Sequence, residues 1–147
     1  MPEVGVSIEG ADDFARALDA LQQRMHAATR DATRDGLTLL EQHARTELSR
    51  YAHARGTPTP SPPGEPPARI SGHLRGSLSP TGPYPGGGGF TGELGPTAVY
   101  ARIQELGGQA GRGHSVTLPP RPYMAPAVRA ARNRLRTLYV EAWHRAL

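Results

Sequence analysis

The chain has 147 residues, a formal net charge of +4 and no cysteine, so a single domain without disulfides, thiolate zinc sites or cysteine nucleophiles is expected. All 17 basic side chains are arginine, which excludes a phosphate-loop lysine, a Schiff-base lysine and a lysine general base. No apolar run approaches a membrane span and no basic-then-apolar signal segment opens the chain, so it is expected to be soluble and cytoplasmic, or to enter an assembly made there.

In chain order, Val4, Val6 and Ile8 alternate with Gly5 and Ser7, which predicts a short strand ended by Gly10. Asp12 is the expected N-cap of the helix that follows. Phe14, Leu18, Leu21, Met25, Ala28 and Ala32 form one helical stripe, and Leu37, Leu40, Ala44, Leu48 and Tyr51 form a second. The second is rotated from the first by roughly 100°. One straight helix cannot present both to a single flat surface, which predicts a bend or break at Gly36.

From Arg55 to Arg69 the proline density forbids helix and ladder pairing and predicts an extended linker. A short strand is expected near Leu74, a turn-rich tip over 80–89, and strands over Phe90–Leu94 and Thr97–Gln104 on either side of the Gly95-Pro96 turn. Gly107–Gly113 reads as a flexible loop and Val116–Leu118 as a last strand. Pro126 suits the first turn of a terminal helix whose stripe is Val128, Ala131, Leu135, Leu138 and Ala142, flanked by Tyr139 and Trp143. The expected fold is α+β: an N-terminal strand and long helix over 1–54, a linker over 55–69, a small, mostly antiparallel sheet over 70–124, and a C-terminal helix over 125–147 packed on the sheet beside the first.

Hydrophobic residues make up 37% of the chain, and its 18 glycines and 15 prolines crowd the middle. Such a chain builds a modest core, so either part of it is disordered or neighbouring subunits complete it, and both are expected. Segments 55–69 and 80–89 are expected to be mobile in the free protein, ordered only by neighbours. The first helix is acidic and the last basic, an arrangement that allows pairing within a subunit or between subunits.

The six histidines, His26, His43, His53, His73, His114 and His144, form no pair at metal-ligand spacing. Carboxylates beyond the first helix are reduced to Glu65, Glu93, Glu105 and Glu141, and neither glycine cluster matches a dinucleotide fingerprint. No catalytic, cofactor or metal residue is therefore assigned, and an enzyme is not expected. Arg129, Arg132 and Arg136 fall within roughly 60° of one another on the last helix. They are either a ridge facing phosphates or an acidic partner, or a solvated face, and the ridge supports an alternative reading as a nucleic-acid-binding accessory protein.

Three phrases carry a resemblance: Ser-Gly-His-Leu-Arg-Gly-Ser-Leu (71–78), Tyr-Ala-Arg-Ile-Gln-Glu-Leu-Gly-Gly (100–108) and Leu-Pro-Pro-Arg-Pro-Tyr-Met-Ala-Pro-Ala (118–127). In this order, after a strand and a long helix, the chain resembles the tail-completion or neck proteins of tailed bacteriophages. The resemblance implies a structural virion protein in the neck, assembled in the host cytoplasm, forming a homo-oligomeric ring (a hexamer). Implied partners are a head-closure or connector protein and a tail terminator or tail-tube protein, with non-specific contact to DNA in the channel and none to membrane. It singles out Tyr100, Glu105, Gly107, Arg121, Pro122, Tyr123 and Pro126 as structural or interface residues. At those positions Glu105 can bond backbone donors, and the planar fork of Arg121 suits a carboxylate, with Glu105 the expected partner.

Overall fold

The computed structural model describes residue 5, residues 9–56 and residues 60–147. The strand expected from Val4, Val6 and Ile8 lies outside the described residues. The elements, in order, are α1 (Ala11–Glu47), α2 (His73–Gly76), β1 (Leu78–Gly86), β2 (Gly89–Pro96), α3 (Ala101–Leu106), β3 (Gly108–Ala110), β4 (Val116–Leu118) and α4 (Met124–Ala146), with one 3-10 turn at Arg112–His114. The class is the expected α+β.

α1 starts one residue after Gly10, which takes the capping position with φ +85. Asp12 is therefore not the cap. It lies with Asp13 in the first turn, where the helix dipole favours negative charge. The helix runs unbroken through Gly36, so the expected break is not there. The helix does not lie on one flat surface: it meets α4 on one side and the β1–β2 pair on another, and Phe14 and Leu18 of the first stripe are exposed. Gly36 faces α4, and a Cβ built there would lie 3.0 Å from Leu135 Cδ2. Leu37, one residue and about 100° further round, faces β2, where its Cδ1 lies 2.7 Å from where a Cβ on Gly92 would be. Glycine at both contacts serves close approach.

α4 runs antiparallel to α1 along a seam of small residues. Ala32, Ala44, Ala127, Ala131, Ala142 and Ala146 are all buried. Each short side chain contributes little, about 0.8 kcal/mol per buried methyl, but lets the backbones come together. Polar contacts tie the seam along its length: Thr33 Oγ1 and Tyr139 Oη share a hydrogen bond of 2.9 Å, Trp143 Nε1 donates to Thr29 Oγ1 at 3.0 Å, and Arg24 Nε donates to the Ala146 carbonyl at 2.9 Å. Where α4 begins, Ala127 joins Leu78 of β1, Ala44, Leu48 and Tyr123 in the main core, with Leu74, Leu94 and Met124 packed on it. The terminal helix thus meets the sheet through its first turns and α1 over the rest.

The strands form two separate antiparallel pairs, β1–β2 and β3–β4, where one sheet was expected. β1 covers most of the segment expected to be a mobile tip. A two-stranded ribbon has two edges, so half of each strand's N–H groups face away from the partner, and Pro80, Pro83 and Pro85 are accommodated in it. Gly87 and Gly88, at φ +59 and +79, close the two-residue turn, which requires left-handed backbone at both positions. The phrase at 71–78 places a helical turn, α2, where a strand was expected, and β1 starts at Leu78. Thr97–Gln104 is likewise not a strand. Ala98 and Ala101 are buried while Val99 is fully exposed, a spacing that suits the helical turn leading into α3. Gly107–Gly113, expected as a loop, supplies β3 and the 3-10 turn that returns the chain to β4.

Candidate functional site

The three phrases, 71–78, 100–108 and 118–127, meet in one junction at the start of α4. An α-helix begins with four N–H groups that lack an intrahelical partner. Here Glu105 takes three of them: Oε2 accepts from Tyr123 N at 2.7 Å and Met124 N at 2.9 Å, and Oε1 accepts from Ala125 N at 3.0 Å. The fourth position is Pro126, which has no N–H to satisfy. The carboxylate also sits where the α4 dipole is positive. A glutamate on one short helix therefore completes the N-terminus of another, with the proline placed to need no acceptor.

Around that contact, Tyr123 is almost wholly buried, with its hydroxyl donating to the Ala101 carbonyl at 3.4 Å. Arg121 N donates to the Gln104 carbonyl at 2.7 Å, joining the third phrase to the second, and Thr97 N, just ahead of the second phrase, donates to the Ser77 carbonyl at 2.9 Å. Tyr100 Oη and His73 Nδ1 are 3.0 Å apart. Gly107, at φ +71, passes directly under the Leu118–Pro120 backbone. Pro122 holds the half-buried step between Arg121 and Tyr123.

The expected Arg121–Glu105 ion pair is not formed. Glu105 is committed to the α4 amides, and the buried Arg121 turns the other way, its Nε donating to the Ser61 carbonyl at 3.2 Å. That contact corrects a second expectation, since the 60–69 part of the linker is held by its own chain and does not wait for a neighbour. Ser61, Pro66 and Pro67 are buried, Gly64 N donates to the Pro120 carbonyl, and Arg69 pairs with the backbone of Tyr51 and His53. Arg50 adds an ion pair to Glu65 at 3.2 Å. Ser61 and Gln104 were not singled out from the sequence. Both contribute backbone carbonyls, which any residue carries, so no side-chain signal marked them.

Burial, with the Glu105 carboxylate and Tyr100 nearby, pushes the Tyr123 phenol from its ordinary 10 up to about 12. The folded state therefore favours the neutral phenol. This group's contribution to stability is fully present below pH 10 and is lost as pH rises from 10 through about 12. In an alkaline titration followed by phenolate absorbance, one of the five tyrosines should ionise late. Tyr123→Phe should remove that late step and make the protein less sensitive to pH above 10.

Arg129, Arg132 and Arg136 are all exposed on α4, and among the described residues none is in an ion pair, whereas Arg134 pairs with Glu141 at 3.2 Å. The ridge read from the sequence therefore stands clear of the junction, on the outer face of the helix. Among the described residues no group of three or more His, Asp or Glu side chains could hold a metal ion, and no helix is long and apolar enough to cross a membrane. No family model, no curated protein and no solved structure matches this chain.

Proposed function

We propose that this chain is a structural subunit of a tailed-phage neck, a tail-completion protein that forms a ring between the head connector and the tail. The observation that carries this reading is the junction. The three phrases that resemble the family meet in space, and each completes the next: the Glu105 carboxylate caps α4, Gly107 lets the Leu118–Pro120 strap pass, and Tyr123 fills the core under Leu74 and Leu78. The alanine-rich seam and the apolar side chains left uncovered at one end of α1 suit a subunit whose surface is finished by its neighbours. In this reading the partners are a head-closure or connector protein on one side and a tail terminator or tail-tube protein on the other.

The test is joining. Heads and tails assembled without the chain should remain separate, and adding the purified chain should restore joined, infectious particles. A label on the chain should appear at the neck in electron micrographs. Joining that proceeds equally well without the chain, or a label found elsewhere on the particle, would sink the reading.

The exposed Arg129, Arg132 and Arg136, without an ion pair among the described residues, favour a second reading, a nucleic-acid-binding accessory protein. Three phosphate contacts would make log affinity for duplex DNA fall with log salt at a slope near −3, by about −0.9 per contact. Replacing all three arginines with alanine should flatten that slope. Absence of salt-dependent binding would leave the ridge facing protein.

A further inference from the structure

The two ends of α1 carry surfaces that nothing among the described residues covers, and they are complementary. At the first end the helix overhangs the rest of the fold, because α4 ends opposite Arg24. Every residue from 11 to 20 is exposed, including Phe14 at 66% and Leu18 at 49%. Asp12, Asp13 and Asp19 flank that apolar stripe; Arg16 pairs with Asp13, which leaves Asp12 and Asp19 on an acidic, amphipathic overhang with its apolar side in water.

At the other end, where α1 stops at Leu48, there is a cavity of about 340 Å³. It is lined by the apolar side chains of Leu48, Leu74 and Tyr100 and by Arg55, Arg69 and Arg75. Among the described residues no carboxylate lines it, and none of these three arginines is in an ion pair. Arg75 Nε is buried there without a hydrogen-bond partner.

A copy of the chain cannot fill its own cavity with its own overhang. At about 1.5 Å rise per residue, a rigid helix holds Phe14 about 50 Å from Leu48. We propose that the exposed first turns of α1, residues 11–20, of one copy dock in the Arg55–Arg69–Arg75 cavity of the next, with Phe14 or Leu18 against its apolar side chains and Asp12 and Asp19 against its arginines. The contact joins two different surfaces, so it is head-to-tail, and it gives a ring where the rotation between copies closes and an open filament where it does not. This deepens the neck reading and rests on it for closure of the ring; the surfaces themselves are observed independently.

The experiment mixes two variants of the full chain. F14D/L18D spoils the overhang and keeps the cavity, and R55E/R69E spoils the cavity and keeps the overhang. All four positions are exposed, and unchanged circular dichroism confirms folding. The wild type should sediment as an oligomer and each variant alone at the monomer mass of 15.7 kDa. An equimolar mixture should give one-to-one pairs and nothing larger, because a single intact interface remains. If the wild type is oligomeric and both variants stay so, this docking is wrong while the ring reading survives. A wild type that is monomeric at every concentration yet still joins heads to tails also overturns the docking and leaves the neck assignment standing. A monomer that joins nothing removes both.

Discussion

Gly107→Ala should destabilise the protein by about 3 kcal/mol, measured as the shift in urea unfolding. Two costs add. The backbone at Gly107 has φ +71 and ψ −176, a region that residues with a Cβ rarely enter, worth about 1–3 kcal/mol by itself. The added methyl would also lie 2.8 Å from the Leu118 carbonyl oxygen, 2.8 Å from Pro120 N and 3.1 Å from the Pro119 carbonyl carbon. These are backbone atoms in a strap that leads straight to Arg121 and Tyr123, so they cannot give way as the end of a flexible side chain would. Gly76→Ala is the control: its methyl would meet nothing within 4 Å, and the expected change is within about 0.5 kcal/mol. Equal effects at the two positions would show that the close approach under the strap is not what holds the junction.

Glu105→Ala should cost about 2–3 kcal/mol, because hydrogen bonds to a charged acceptor are among the stronger ones and three amide donors lose their partner together. Water can reach Ala125, which is exposed, but reaches the amides of Tyr123 and Met124 less well. Glu105→Gln keeps one carbonyl oxygen and loses the charge that the α4 dipole favours, so it should fall about halfway between. Chemical denaturation of the three proteins measures the series. Amide hydrogen exchange at Met124 and Ala125 should quicken in Glu105→Ala before any change near Trp143, at the far end of the same helix. A Glu105→Ala variant as stable as the wild type would show that the carboxylate cap does not hold α4 in place.

Much of the site's membership was legible in the sequence, and little of its wiring was. Tyr100, Glu105, Gly107, Arg121, Pro122, Tyr123 and Pro126 lie around one junction, which their positions along the chain do not foretell, and Glu105 bonds backbone donors there. The expected pairing of Glu105 with Arg121 rests on the fit of a planar guanidinium fork to a carboxylate, and that fit alone does not say which acceptor an arginine reaches. A helix start with three free amides makes stronger and more specific demands on a carboxylate than a neighbouring guanidinium does, and the Ser61 carbonyl was already beside Arg121.

The sequence by itself determined the two long helices, because their apolar side chains recur at helical spacing over many turns and no other structure gives that spacing a buried face. It also determined the α+β class, the last short strand and the outward placement of Arg129, Arg132 and Arg136. Only the tertiary structure decided what each apolar stripe faces. Gly36 looked like a break because two stripes were assumed to share one surface; with α4 on one side and β2 about 100° round, the same pattern needs an unbroken helix. Tertiary structure likewise turned 80–86 into a strand and Thr97–Gln104 into a turn and helix. Short segments rich in proline and glycine have weak local preferences, and the partner they pack against sets their conformation.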